Sequence, residues 1–304
     1  VSNPSIPGPS AARLPDFIGV GPPRTATTWL HRVLTGRVGL PAGRKETDFF
    51  SRNFERGLDW YLGYFKDCRA DQPMGEFSPM YFADARAPAR IAQTIAGCRI
   101  IASFRDPVDR AWSQWRLMVR QAWTRLDFIA ALQRHHELRE SGRYGHYLDE
   151  WIAKFGRERV LVLIYEDLET DPQGFLDQVC GFIGAARFPV ADSPYGNQRV
   201  HTVPVAPRSY RLARNARKFM RFLNERQYHR TARRLAATAL WRLCFEGGAP
   251  FTPPDAAADA RVREMFRPEV EQLERILGRD LSAWKTPRGV VEKTSAGTED
   301  RAGA

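Results

Sequence analysis

Four short apolar runs constrain this 304-residue chain more than any other feature: Phe17 to Val20, Met74 to Glu76, Arg99 to Phe104 and Val160 to Ile164. Each is apolar or β-branched and bounded by turn signals, the pattern of a buried strand. Between and after them lie amphipathic helical patterns at Thr27 to Leu34, Gly57 to Phe65, Pro88 to Ala96, Pro107 to Gln121, Leu126 to Glu140, Tyr144 to Phe155 and Pro172 to Ile183. Strands alternating with helices predict an α/β fold, a parallel sheet flanked by helices on both faces.

After Ala185 the character changes. Phe188 to Pro207 carries four prolines and no period, which reads as a long loop. Two arginine-rich helical stretches follow, about Ser209 to Asn224 and Gln227 to Phe245, then a Gly/Pro break at "EGGAPFTPPD" and a last helix from Ala257 to Leu277. The expected organisation is a disordered leader over 1–15, one domain over 16–284 that includes the basic helical segment of about 199–245, and a disordered tail over 285–304. A hydrophobic content of 43% with 27% charged residues fits a water-soluble globular chain. No stretch approaches the roughly 18 apolar residues of a membrane span. The leader "VSNPSIPGPSAARLP" has prolines and no apolar core, so it is not a signal peptide and a cytoplasmic protein is expected. Cys68, Cys98, Cys180 and Cys244 lie far apart, with no CxxC pair and no histidine at a ligand spacing, so free thiols and no structural zinc are expected.

The first strand runs directly into "GPPRTATTWLH", residues 21 to 31. A strand that turns through small residues into a helix leaves the first N–H groups of that helix free at its positive end, which is where an anion binds. Arg24 adds a full charge, and Thr25, Thr27 and Thr28 add hydroxyl donors. The nucleotide loop GxxxxGK[ST] is not matched. "RIIASFRDPVDRAWSQW", residues 99 to 115, repeats the design: Arg105 ends a strand, Pro107 starts a helix where its missing N–H costs nothing, and Ser113 lies two turns on. Because the strand ends in arginine, with no aspartate placed for magnesium, the pair of sites reads as anion binding without a metal.

With these residues in view, the chain resembles the sulfotransferases that use 3′-phosphoadenosine 5′-phosphosulfate (PAPS), most closely their prokaryotic and heparan-type branch. "PRTATTWL" is similar to the 5′-phosphosulfate loop PKSGTTWL, with Arg24 for lysine and Ala26 for glycine. The alanine matters only if that position needs a positive φ. Arg105 and Ser113 match the arginine and serine of the family's 3′-phosphate motif. "GEFSPMYF" (Gly75 to Phe82) resembles EKTPxYF, "GRYGHYLDEWIAKFGRERVLVLIYEDLETDP" (Gly142 to Pro172) resembles GxYxxxLxxWxxxF leading to YEDL, and "FRPEVEQLERILGRDLSAW" (Phe266 to Trp284) resembles the closing helix. The likeness spans Phe17 to Trp284. It implies a P-loop-like sheet and a donor held by Arg24, Thr25, Ala26, Thr27, Thr28 and Trp29 at one end and by Arg105 and Ser113 at the other. PAPS would be the donor, its desulfonated 3′,5′-bisphosphate (PAP) the product, and no metal would be needed.

The implied reaction is in-line sulfuryl transfer to a hydroxyl or amine, which depends on positioning and charge stabilisation. "GRKETDFF" (Gly43 to Phe50) resembles KExHFF, whose glutamate is the general base, so the resemblance assigns the base to Glu46, with Lys45 beside it to neutralise the sulfonate. Asp48 stands in place of the family's histidine. Phe77 stands where the branch has a lysine, leaving the sulfonate to Lys45 or Arg24. His31 competes as a base, because cytosolic sulfotransferases use a histidine, although it does not match their catalytic position.

The net charge is +11, and Arg199 to Leu235 alone holds ten arginines and one lysine against one glutamate. Arg208, Arg211, Arg214, Arg217, Lys218 and Arg221 recur at helical spacing on one face. The family places a basic loop against the 3′-phosphate, for which Arg199 and Arg208 are the candidates here. This charge also fits a nucleic-acid-binding protein, but aromatics do not alternate with the basic residues as a stacking platform requires, and no nucleic acid partner is expected. A P-loop kinase is the other alternative; magnesium dependence separates it. The acceptor, a small molecule or a glycan, and the oligomeric state are not written in these motifs.

Overall fold

Strand β1 (Phe17–Gly19) lies inside a four-stranded sheet of order β2-β1-β3-β4, in which β2 is Gly75–Phe77, β3 is Arg99–Phe104 and β4 is Val160–Ile164. All three pairings are parallel, with Ile18 opposite Glu76 and Ile100, and Ile101 opposite Leu161. The structure is a computed structural model that describes residues 13–196, 205–226, 228–236, 238, 241 and 243–287. The bulk of the expected leader and tail, and Arg199, lie outside the described residues.

Alternation along the strands sends side chains to two cores. Ile18, Val20, Ile100, Ala102, Phe104, Val160 and Ile164 share one with helices α3 (Ala87–Thr94), α7 (Tyr144–Phe155) and α12 (Ala256–Leu277). Phe17, Phe77, Ile101 and Leu163 share the other with α1 (Thr27–Leu34) and α9 (Pro172–Ile183). The parallel sheet covered on both faces is therefore present. Helix α2 (Leu58–Leu62) lies between β1 and β2, and α4 (Pro107–Arg120) packs with α5 (Phe128–Arg134), α6 (His136–Glu140) and α12 in a third cluster.

Three elements differ from the sequence reading. The stretch Leu126 to Glu140 is two helices, because His135 takes an extended backbone (φ −100°, ψ 96°) between α5 and α6. Helix α8 (Tyr165–Thr170) follows β4 with no intervening Gly or Pro. The expected loop ends in β5 (Val205–Pro207), which pairs antiparallel with β6 (Gly247–Pro250) inside the expected Gly/Pro break. Glycine permits that pairing: a Cβ at Gly248 would stand 2.6 Å from the Ala206 carbonyl oxygen. The basic helices are α10 (Tyr210–Glu225) and α11 (His229–Ala236). No described helix is long and apolar enough to cross a membrane, and all four cysteines are free thiols.

Candidate active site

The turn after β1 is held close to β3, where a Cβ on Gly21 would meet the Ser103 nitrogen at 2.5 Å. Arg24 (φ 78°) and Ala26 (φ 75°) both adopt the left-handed conformation. The condition set by the sequence is thus met: the position the family fills with glycine does need a positive φ, and alanine is strained there. Ala26 is the N-cap of α1, and no side chain caps that helix. Its first N–H groups are thereby left to a ligand.

Two side chains of this loop do not face a ligand. The buried Thr25 hydroxyl donates to the Pro22 carbonyl (2.7 Å) and shares a hydrogen bond with Ser103 Oγ (2.9 Å), so it ties the turn down. Trp29 is in the core, its ring edge-on to Phe175 and its Nε1 donating to Gly196 O (3.1 Å). Thr27 and the half-buried Thr28 open α1, and Thr27 Oγ1 accepts from Lys45 Nζ (3.2 Å).

The second junction is built differently. Asp106 caps α4, its Oδ1 accepting from the N–H groups of Val108 (2.9 Å) and Asp109 (3.3 Å). Its Oδ2 pairs with the buried Arg263 (3.0 Å), which Asp259 also holds (2.7 Å). The Asp106 N–H donates to Glu166 Oε1 (3.0 Å). Arg105 lies over the Tyr165 ring (4.4 Å) and 3.8 Å from Asp109. Burial pushes Glu166 up to about 7; the hydrogen bond from the Asp106 N–H restrains the rise, the Asp106 carboxylate adds to it and Arg105 opposes it.

The two junctions meet. Arg24 Nε donates to Ser113 Oγ at 2.8 Å, joining the first loop to α4. Burial lowers Arg24 to about 10, and repulsion from Arg105 and Arg116 contributes next. Arg116 is lowered by burial and then by Arg105. Two partly desolvated guanidiniums, Arg24 and Arg116, beside the charge of Arg105 fit a multiply charged anion, which would relieve both penalties.

Lys45 and Glu46 form the adjoining wall. Lys45 Nζ bridges Thr27 Oγ1 and Glu46 Oε1 (2.9 Å), and Glu46 remains 39% exposed, within reach of an incoming acceptor. Burial lowers the Lys45 ammonium, with Glu46 acting against it. The turn is anchored one residue on: Thr47 donates to Glu76 Oε2 through its N–H (3.2 Å) and hydroxyl (2.7 Å). Ser78 Oγ (2.7 Å) and Tyr81 OH (3.0 Å) also donate to the fully buried Glu76. Burial raises Glu76 and these hydrogen bonds restrain the rise. Sequence reading passed over Glu76 as a site residue; a carboxylate amid a buried strand was the available signal.

The other residues singled out are placed as follows. Phe77 is fully buried against Phe17, its ring filling the space beside Gly19, so position 77 belongs to the core. Asp48 (φ 50°) has a buried Oδ1 without a hydrogen-bond partner, and burial, then Glu46, raises its carboxyl. His31 Nε2 is also buried without a partner; burial, then Lys45 and Arg32, lowers the ring to about 4, so it is neutral at pH 7. Arg208 lies at the foot of α10, its N–H donating to Glu246 O (3.2 Å). Among the described residues, no three His, Cys, Asp or Glu side chains gather as metal ligands would.

A parallel sheet with two adjoining strand-to-helix junctions, one offering backbone and the other arginines, defines a P-loop-like α/β protein shaped for an anionic group. A family model described as "Sulfotransferase family" matches residues 78–189, which contain Arg105 and Ser113. The chain is 30% identical over 196 residues to human bifunctional heparan sulfate N-deacetylase/N-sulfotransferase 3, a match covering 57% of this chain and 22% of that protein. It thus spans only about a fifth of that relative's length. It is 28% identical over 258 residues to human heparan sulfate glucosamine 3-O-sulfotransferase 6, covering 75% of each. The crystal structure of a sulfotransferase from Alicyclobacillus acidocaldarius superposes with a TM-score of 0.65 at 22% identity, over 90% of this chain and all of that one. These matches support a sulfotransferase family, and with it an enzyme, for this chain.

Proposed function

We propose that the protein moves the sulfuryl group of PAPS onto a hydroxyl or amine of a small-molecule or glycan acceptor, with Glu46 as general base and no metal. The observation that carries this reading is the 2.8 Å bond from Arg24 to Ser113. It puts the two anion-binding junctions within reach of opposite ends of one nucleotide. The names of curated relatives, which act on heparan sulfate, support a glycan as one acceptor class.

In this reading Arg105 and Ser113, with Arg116 nearby, hold the 3′-phosphate. The N–H groups opening α1, with Arg24, Thr27 and Thr28, hold the 5′-phosphosulfate. When bound, the donor supplies a sulfuryl group on an anhydride oxygen. Glu46 takes the acceptor's proton as the acceptor oxygen or nitrogen bonds to sulfur and the bond from sulfur to the phosphate oxygen breaks. Lys45 already touches both Thr27 and Glu46, and with Arg24 it stabilises the charge that collects on the leaving phosphate. Trp29 supports the loop from the core, and Thr25 contributes its backbone.

A thermal-shift comparison of PAP, ATP and AMP tests the donor. The bisphosphate should raise the melting temperature most, and a preference for ATP with magnesium would replace this reading with a kinase. Glu46→Gln should retain the PAP shift and lose about 10²-fold or more in turnover; a fully active variant would move the base elsewhere. Turnover should persist in EDTA.

A further inference from the structure

Helix α10 presents two chemistries side by side. Arg211, Arg214 and Lys218 are exposed on it, and Glu225 is its only acidic residue. Leu212 (50% exposed), Phe219 (51%) and Phe222 (48%) form a stripe along the same helix, two turns and then three residues apart. At 100° per residue, Arg211 and Lys218 border that stripe directly. The opposite flank is used by the fold: Ala213 is buried with Ala122 and Phe245, Leu223 is buried, and Arg125 stacks on Tyr210 (4.0 Å). The arm is thus fixed to the end of α4, with Arg120 and Glu246 paired across the same joint (2.9 Å). Tyr228 (58%) and Leu243 (66%) are further exposed apolar side chains in the segment that follows the helix.

We infer that this arm docks on an anionic lipid surface, with Leu212, Phe219 and Phe222 entering the headgroup and acyl boundary and Arg211, Arg214 and Lys218 meeting lipid phosphates. The two chemistries together select the occupant. A polyanionic glycan or a nucleic-acid duplex would satisfy the arginines and leave the phenyl rings in water, and a single strand would stack bases on the rings but gain nothing at Leu212. A second copy joined through the same face would bring like charges together. An anionic membrane interface accepts both the apolar stripe and the basic border. Such docking is peripheral and needs no membrane-spanning helix. The inference does not rest on the sulfuryl-transfer reading.

The test is co-sedimentation of the full chain with vesicles of phosphatidylcholine alone or mixed equally with phosphatidylglycerol. The chain should pellet with the mixed vesicles at low salt, stay in solution with phosphatidylcholine, and be released by added salt. Phe219→Ser with Phe222→Ser should cut the bound fraction about tenfold, while keeping the parent's melting temperature and its PAP-induced shift. If that pair lowers the melting temperature, Leu212→Ser serves as the second variant and should weaken pelleting less. No pelleting, or pelleting that ignores the serine substitutions, overturns the inference. Retention on heparin unaffected by those substitutions, without vesicle binding, assigns the arm to a polyanion instead. A dimer in sedimentation velocity that the substitutions abolish assigns it to a second copy.

Discussion

The junctions after β1 and after β3 both carry a strand into a helix beside an arginine, yet they leave opposite things exposed. At the first, Arg24 and Ala26 bend through left-handed backbone and no side chain caps α1, so the helix offers its own N–H groups. At the second, the Asp106 carboxylate already occupies the N–H groups of α4, so what this junction presents is side chains, those of Arg105, Ser113 and Arg116. A backbone cradle suits a group whose charge shifts during reaction, since fixed dipoles need not reorganise. A side-chain clamp suits a group that is only held. On the proposed function, the same supersecondary unit serves as a reaction site or as an anchor according to what occupies its N-cap.

The comparison breaks most visibly at Asp106. Asp106→Ala removes the α4 cap and one of the two carboxylates that pair with the buried Arg263, Asp259 remaining, and should cost about 3 kcal/mol in denaturant unfolding. A loss near 1 kcal/mol would mean that the cap and the Arg263 pair contribute little. Next in size, Arg105→Ala should weaken PAP by about 1.5–3 kcal/mol in calorimetry while leaving AMP, which lacks the 3′-phosphate, unchanged. Arg24→Ala should weaken both nucleotides. If the two variants discriminate equally, the division into cradle and clamp is wrong. Smaller still, Ala26→Gly relieves the left-handed strain and should stabilise the chain by up to about 1 kcal/mol, the gain reduced by the added freedom of the unfolded chain. A lowered melting temperature would show that the turn is unstrained.

How legible the molecule was in its sequence follows from how local each signal is. Val160–Ile164 is an uninterrupted apolar run, and both its ends and those of Thr27–Leu34 and Tyr144–Phe155 are where the pattern places them. Gly247–Pro250 has no strand chemistry of its own; it becomes β6 because β5, some 40 residues earlier, pairs with it. The break at His135 carries no Gly or Pro to announce it. In the site, Arg24 and Ser113 could each be read because each follows a strand end closely, and their meeting is a product of the parallel pairing of β1 with β3. The inward turn of the Thr25 hydroxyl depends on Ser103, and the grip of Glu76 on the turn bearing Glu46 depends on Thr47, Ser78 and Tyr81 arriving together. Such convergence has no sequence signature.

The smallest effect sets the junctions against each other in pH. His31, on α1, is lowered from 6.5 to about 4, so between those values the unfolded chain binds the extra proton and stability rises with pH. Glu166, against the α4 cap, is raised from 4.5 to about 7, so there the native chain binds the extra proton and stability falls as pH rises. From pH 4.5 to 6.5 the two contributions oppose, which is why the parent should show little of either. Unfolding free energies of the parent minus His31→Gln should rise with pH across that window, and those of the parent minus Glu166→Gln should fall. Taking differences removes the buried carboxyls of Glu76 and Asp48, which are raised in every variant alike. A flat difference would mean that the group keeps its solution behaviour, and slopes of the same sign that one of the shifts runs the other way; either would mean that the chemical contrast between an open cradle and a closed cap does not extend to the groups packed beneath them.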